Sequence, residues 1–311
     1  MLTNRDNDNE KKLAGDASVI IPQNVMMRNV YKHTPGDAGF FANFNFMMSM
    51  NTSNRIVIPY WTNTSIGKSP SQTRHYNYWG DSDNENIFLK YFDILIDVNI
   101  ATLPIYSTQG DIRITHVAPR NRLMYNTTEF NAARRHFHTL YSRLFRPNAH
   151  IMNKVTAFMV DKRDAIAVHV RNPVHNVESR AIKFKDYFDA IAYIDDGVRP
   201  ILLATDNELS LLVFKDKFGD RLKYFEDSER ASVDMHLDWV QALRKGREDA
   251  NGLINGKGFE LHNAKQTKND IAYDVIFEML CLQQASVFIG SVSNVALVAG
   301  YMNPELPMTL L

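Results

Sequence analysis

At 311 residues the chain has room for one large domain or two of ordinary size. Its residues are 45% hydrophobic and 23% charged, a globular mix, and 35 Lys plus Arg balance 35 Asp plus Glu, so no overall field would hold a nucleic acid or an anionic membrane. The single cysteine, Cys281, excludes an intrachain disulfide; among Met279, Leu280 and Leu282 it reads as a small core residue.

The opening MLTNRDNDNEKKLAGD is polar and lacks the apolar stretch of a secretory signal, so residues 1–16 are expected to form a flexible tail. No apolar run approaches the roughly 20 residues of a membrane helix, and the expectation is a cytoplasmic protein without a membrane span. ASVIIP (residues 17–22) then reads as a first strand. A loop carrying Gly36 and Gly39 leads to a helix starting near Ala38, and RIVIPYW (residues 55–61) reads as a second strand. A polar, aromatic loop follows, whose YNYWG (Tyr76 to Gly80) is either a sugar-stacking surface or an ordinary contact. Ser82 and Glu85 have capping-box spacing ahead of NIFLKYFDILI, which predicts a helix there. The same context explains Asp81-Ser82-Asp83, a mimic of a metal-binding D-x-D, as helix initiation. In TTEFNAARRHFHTLYSRLF, Phe130, Ala133, Phe137, Leu140 and Leu144 share one face; Arg134, Arg135, Arg143 and Arg146 read as the solvated side, and Pro147 ends the helix.

In the second half, strands are predicted at DAIAVHV, PILLATD, LKYFE and SVFIGSV. Helices are predicted around Lys185 to Tyr193 and over NELSLLVFKDKFG, IAYDVIFEMLCLQQA and SNVALVAGYM. Ser228 to Lys268 is a long polar stretch dotted with glycine. Strands without inner alternation, separated by helices, indicate a parallel sheet covered on both faces. The boundary falls near residues 150–162, dividing an N-terminal α/β domain (17–155) from a C-terminal one (156–311).

In wound sheets, ligands bind at the carboxyl ends of strands. One predicted strand ends in His169 and Arg171, the next in Asp206, and the last in Ser291, Ser293 and Asn294 at a helix start. A helix N-terminus suits a phosphate, Arg171 can fork onto a diphosphate, and Asp206 can accept from a ribose or base. The set describes a site for a nucleotide-like anion. Competing readings are a structural ion pair for Arg171, a crevice-wall brace for His169, a helix N-cap for Asp206 and a solvated face for Glu278 with Asp274. No G-x-G-x-x-G, P-loop, H-E-x-x-H or G-x-S-x-G occurs in the expected context, and His136 and His138 do not share a helix face for a metal.

The order AIAVHVR, ILLATDNELSLL, ELHN and EMLCLQQASVFIGSVSN resembles the α1,6-fucosyltransferases, with protein O-fucosyltransferases more distant. The resemblance covers roughly residues 160 to 300. It rests on His169-Val170-Arg171, Ala204-Thr205-Asp206, Glu278 on the penultimate helix, and the turn Ser291 to Asn294. It implies a GT-B-like fold of two Rossmann-like domains with a cleft between them. It also implies inverting, metal-independent transfer of fucose from a GDP-sugar donor to a glycan, lipid-linked or protein hydroxyl, with no separate cofactor. Arg171 then corresponds to the diphosphate-binding arginine, Asp206 to the nucleoside-side acid and Glu178 to the catalytic glutamate, with His175 as the competing base.

The chain departs from the family pattern in two places. A second basic residue and an aspartate are replaced by Asn172-Pro173-Val174-His175, and the helix acid is Glu278 where the family has Asp. The sugar and the acceptor therefore stay open. So does the alternative of a non-catalytic sugar-nucleotide or glycan-binding protein on the same fold, and, behind it, another wound α/β enzyme.

Overall fold

The computed structural model describes residues 26–29, 40–51, 55–61, 86–103, 105–106, 128–171, 182–228, 230, 232–233 and 268–311. In the first half, Met26–Asn29 (β1) is the central strand of a parallel three-stranded sheet, flanked by Ile56–Pro59 (β2) and Ile105–Tyr106 (β4). The strand expected over residues 17–22, the Ser82–Glu85 capping box and the Tyr76–Gly80 loop lie outside the described residues. Helix α1 is described over Phe40–Met50, and its expected start near Ala38 lies outside the described residues. Its Phe40, Phe41, Phe44, Met47, Met48 and Met50 are all buried, as expected of a helix apolar around most of its circumference.

The predicted helix over NIFLKYFDILI is cut short. Only Ile87–Tyr91 (α2) is helical, capped by Asn86, and Phe92–Ile94 (β3) turns into a strand antiparallel to Phe145–Pro147 (β5). Asn86 is responsible for the start. Its Oδ1 accepts from Phe88 N at 3.3 Å and from Trp61 N at 3.1 Å, and its Nδ2 donates to Pro59 O at 3.0 Å. One buried amide thus ties the end of β2 to the first turn of α2. Phe88 and Phe92 stack with centroids 4.8 Å apart, and Phe40 meets Trp61 edge-on at 5.2 Å. This aromatic packing outweighs the helical preference of the run.

Helix α3 (Thr128–Leu144) follows the predicted apolar face, and α4 (Ala149–Phe158), which spans the expected domain boundary, was not predicted. Its Ile151 and Val155, with Met159, belong to the larger core cluster.

The second half follows the predicted order: Ile166–Val170 (β6), Phe184–Ile194 (α5), Ile201–Thr205 (β7), Glu208–Phe218 (α6), Leu222–Tyr224 (β8), Lys268–Leu282 (α7), Val287–Gly290 (β9), Asn294–Met302 (α8) and a further strand, Met308–Leu310 (β10). These five strands form one parallel sheet in the order β10-β9-β6-β7-β8. The chain is thus mixed α/β, with a five-stranded parallel sheet covered by helices. Alternate strand residues enter different cores. Ala167, Leu202, Ala204 and Phe288 join the larger cluster with α1, α3, α4, α7 and α8, while Ile166, Val168, Val170, Ile201, Leu203 and Ile289 join a smaller one with α5 and α6. No helix among the described residues is long and apolar enough to cross a membrane.

Candidate functional site

From β6 the chain winds outward to β7 and β8, then returns to place β9 on the other side of β6. The winding direction therefore reverses between β6 and β9, and ligands of wound sheets sit outside the carboxyl ends of strands at such a reversal. Strand periodicity determines what is delivered there. With a period of two, His169 and Arg171 fall on the same face as Ala167, toward the larger core, while Val168 and Val170 fill the smaller one. On β7 the same rule carries Leu202 and Ala204 on to Asp206.

At the reversal His169 pairs in register with Gly290 on β9. A Cβ on Gly290 would lie 2.8 Å from the Phe288 ring and 3.3 Å from the His169 carbonyl oxygen, so glycine permits the close approach of the two strands. Ser293 caps α8, its Oγ accepting from Ala296 N at 3.1 Å, and the same hydroxyl lies 3.4 Å from His169 Nδ1. The first amides of α8 have no intrahelical acceptor, as at any helix start. His169 is half-buried but densely surrounded, and desolvation, reinforced by the neighbouring positive charge of Arg171, pushes its pKa down to about 3. The imidazole is therefore neutral at physiological pH, and Arg171 supplies the positive charge.

Asn294 is the first residue of α8. Asn45 of α1, itself buried, donates from Nδ2 to its Oδ1 at 2.8 Å and more weakly to its carbonyl oxygen at 3.4 Å. Ser291 goes elsewhere: it is buried beside the Tyr187 hydroxyl of α5, on the face that carries Ile289, without a hydrogen bond of good geometry.

A second group of charges gathers at the end of β7. Asp206 does not cap α6, because Asn207 does so by accepting from Ser210 N at 3.0 Å. Glu278 of α7 is not on a solvated face. Its Oε1 accepts from Ser228 Oγ at 2.6 Å, and its charge is felt by Arg230, Asp274 and Asp206. Arg230 in turn donates to the Ser228 carbonyl at 2.8 Å and the Phe225 carbonyl at 2.6 Å. Burial is the main cause that pushes Glu278 up to about 7, against the help of Ser228 and Arg230.

These shifts make stability depend on pH. Glu278 binds its proton more tightly folded than unfolded, so stability is lost as pH rises from the ordinary carboxylate range, about 4.5, through about 7. His169 has the opposite sense: its contribution is present above about 6.5 and is lost as pH falls toward about 3. We expect Glu278→Gln to remove an alkaline-side loss on the order of 2–3 kcal/mol. Urea midpoints of both proteins at pH 5 and pH 8 check this, and parallel pH slopes would rule it out.

The structure thus brings His169, Arg171, Ser293 and Asn294 to one end of the sheet and sets Asp206 with Glu278 at the neighbouring strand end. Glu178 and His175 lie outside the described residues. Among the described residues no group of three His, Cys, Asp or Glu side chains comes together as metal ligands. Two polar side chains escaped sequence reasoning, Asn45 and Arg134. Arg134 is buried at 4% exposure, contrary to the solvated reading. The signal for it existed, since position 134 is four after Phe130 and three before Phe137, inside the apolar face.

No protein-family model matches the chain, and no curated protein matches its sequence. Among solved structures the chain is similar to the α1,6-fucosyltransferase NodZ soaked with GDP-fucose, with 13% identity, 92% of this chain and 95% of that chain covered, and a TM-score of 0.46. It is similar also to NodZ co-crystallised with GDP, at 14% identity with the same coverage and TM-score. A third is selenomethionine NodZ from Bradyrhizobium, at 13% identity, 92% and 94% coverage and a TM-score of 0.46.

Proposed function

We propose that the protein is an inverting, metal-independent glycosyltransferase of GT-B type that moves fucose from GDP-fucose to a hydroxyl of a glycan, lipid-linked or protein acceptor. Residues 156–311 form the donor side and 17–155 the acceptor side. One observation carries the reading. His169 and Ser293, 124 residues apart in sequence, stand 3.4 Å from each other where the sheet reverses, with Arg171 beside them. That arrangement suits a diphosphate held between a guanidinium and a helix N-terminus. The motif resemblance supplies the nature of the donor. Asp206 and Glu278 then face the nucleoside side, where guanine and ribose present N–H and O–H donors.

In this reading the acceptor oxygen attacks the anomeric carbon while the bond from that carbon to the diphosphate oxygen breaks. GDP leaves with the electron pair. Charge builds on the diphosphate in the transition state, so Arg171 and the α8 amides stabilise it most. Glu178 removes the acceptor proton, a step worth typically about 10²–10⁴-fold, and His175 is the competing base.

A thermal-shift panel of GDP, UDP, ADP and NAD tests the nucleotide assignment, because a ligand bound only by the folded state raises its melting temperature. GDP is expected to stabilise the protein; stabilisation by UDP or NAD without GDP sinks the reading. Glu178→Gln is expected to bind GDP normally and to lose turnover, and near-full turnover moves the base elsewhere. The Asn172-Pro173-Val174-His175 run, in place of the family's basic and acidic residues, favours one second reading, a non-catalytic binder of the same nucleotide sugar. GDP binding with no hydrolysis or transfer of GDP-fucose, for any acceptor tried, would select it.

A further inference from the structure

We infer that Arg134 of α3 is a positioning residue for the nucleotide site, acting through helix α8. The inference rests on the functional reading above only for the identity of the ligand. Helix α8 is held at both ends by side chains of the first half. At its start, Asn45 grips Asn294. At its end, Arg134 spreads its guanidinium over three backbone carbonyls: Nε to Gly300 at 3.3 Å, and one terminal nitrogen, Nη2, to Asn303 at 2.9 Å and Leu306 at 2.7 Å. Its other terminal nitrogen donates to Asn131 Oδ1 at 3.3 Å. One turn along α3, His138 Nδ1 donates to the Tyr301 carbonyl at 2.9 Å. The negative end of the α8 dipole thus meets a buried cation, the favourable arrangement for a helix C-terminus.

The clamp is built to fit. Gly300 leaves the room it needs, since a Cβ there would lie 3.1 Å from Arg134 Nε and 3.0 Å from Met308 Sδ. Leu306, also held by Arg134, lies in the turn into β10, and β10 is tied to β9 by Phe288 N to Pro307 O at 2.8 Å and Leu311 N to Gly290 O at 2.9 Å. In the unit β9–α8–β10 the Phe288–Pro307 tie lies at the end where Arg134 sits, and the Leu311–Gly290 tie at the end that carries Ser293 against His169. Between the two ends Ala296 to Met302 are buried without interruption. A helix of nine residues, about 1.5 Å each, moves as one piece, so a slip at Gly300 reaches Ser293 and the amides beside it. Misplacement on the order of 1 Å at such a site can cost about 10²-fold.

Arg134→Lys keeps the charge and loses the fork. The control is Leu222→Ala, a buried position whose register partner, Ile201, starts β7 at the far end of the sheet from the site. Gly300→Ala, which crowds the guanidinium while leaving it in place, is the second variant if Arg134→Lys does not fold. Two quantities are measured well below each melting temperature: GDP affinity by calorimetry, and the imidazole ¹H–¹⁵N signals of His169 in the ligand-free protein.

The expected result is a GDP affinity at least tenfold weaker and displaced His169 signals in Arg134→Lys, a smaller change of both in Gly300→Ala, and neither change in Leu222→Ala. Unchanged His169 signals and affinity in Arg134→Lys, or equal changes in Leu222→Ala, overturn the inference and leave Arg134 a purely structural residue. If the native protein does not bind GDP, the functional reading fails, and the His169 signals alone decide the positioning role.

Discussion

Arg134→Ala is expected to lower the free energy of unfolding by roughly 3–5 kcal/mol. The substitution removes a cation that is 4% exposed and donates to the carbonyls of Gly300, Asn303 and Leu306. A buried acceptor left without a donor costs about 1–3 kcal/mol, and water entering the space recovers part of that. The guanidinium also lies 5.8 Å over the Phe130 ring, and its aliphatic stem fills volume beside Gly300. A lysine ammonium has three donors but holds them on one atom, and cannot span carbonyls that the guanidinium reaches from Nε and Nη2, so Arg134→Lys is expected to restore less than half of the loss. Urea unfolding at constant pH measures both. A loss below about 1 kcal/mol for Arg134→Ala would mean that solvent replaces the guanidinium without difficulty.

Arg171→Ala is expected to weaken GDP binding about 100-fold or more and to reduce transfer by at least about 10³-fold. Its position explains the size of the effect. His169 beside it is held neutral at a pKa of about 3, in part by the charge of Arg171, so the positive charge at the reversal of the sheet belongs to the arginine. On the proposed reading, removing it leaves the α8 amides, among the described residues, to meet the charge that develops on the leaving diphosphate. Arg171→Lys is expected to fall between, keeping the charge and losing the bidentate fork. Calorimetric titration with GDP and initial rates with GDP-fucose separate the two losses. Native GDP affinity in Arg171→Ala would reassign the arginine to a structural ion pair.

Much of this site was legible from local pattern. His169 and Arg171 close an apolar run whose alternation sends them to one face, and Ser293 precedes a helical segment as an N-cap should. The errors came where a distant partner outweighed local preference. The run Ile87–Ile96 reads as a helix in isolation, but β5 recruits Phe92–Ile94 as a strand and Phe88 stacks on Phe92. For Glu278, local pattern leaves a solvated face shared with Asp274 as the competitor of a nucleotide contact, and the cover of Ser228 and Arg230 removes that competitor. Arg134 looked solvated because an arginine is ordinarily charged and exposed; its place inside the apolar face of α3 marks its burial, but the carbonyls of α8 that surround it come from a distant part of the chain.

By itself, the sequence determined the alternation of strands and helices, the parallel sheet of the second half, and the polar residues at its strand ends. Periodicity, caps and apolar runs are local, and each is set by neighbours within a few positions in the chain. Only the tertiary structure decided that β9 lies on the opposite side of β6 from β7, that His169 meets Ser293, and that α1 and α3 hold α8 at its two ends. Those facts depend on which buried polar group finds which partner across the core, and a hydrogen bond between residues more than a hundred positions apart leaves no periodic trace in the chain.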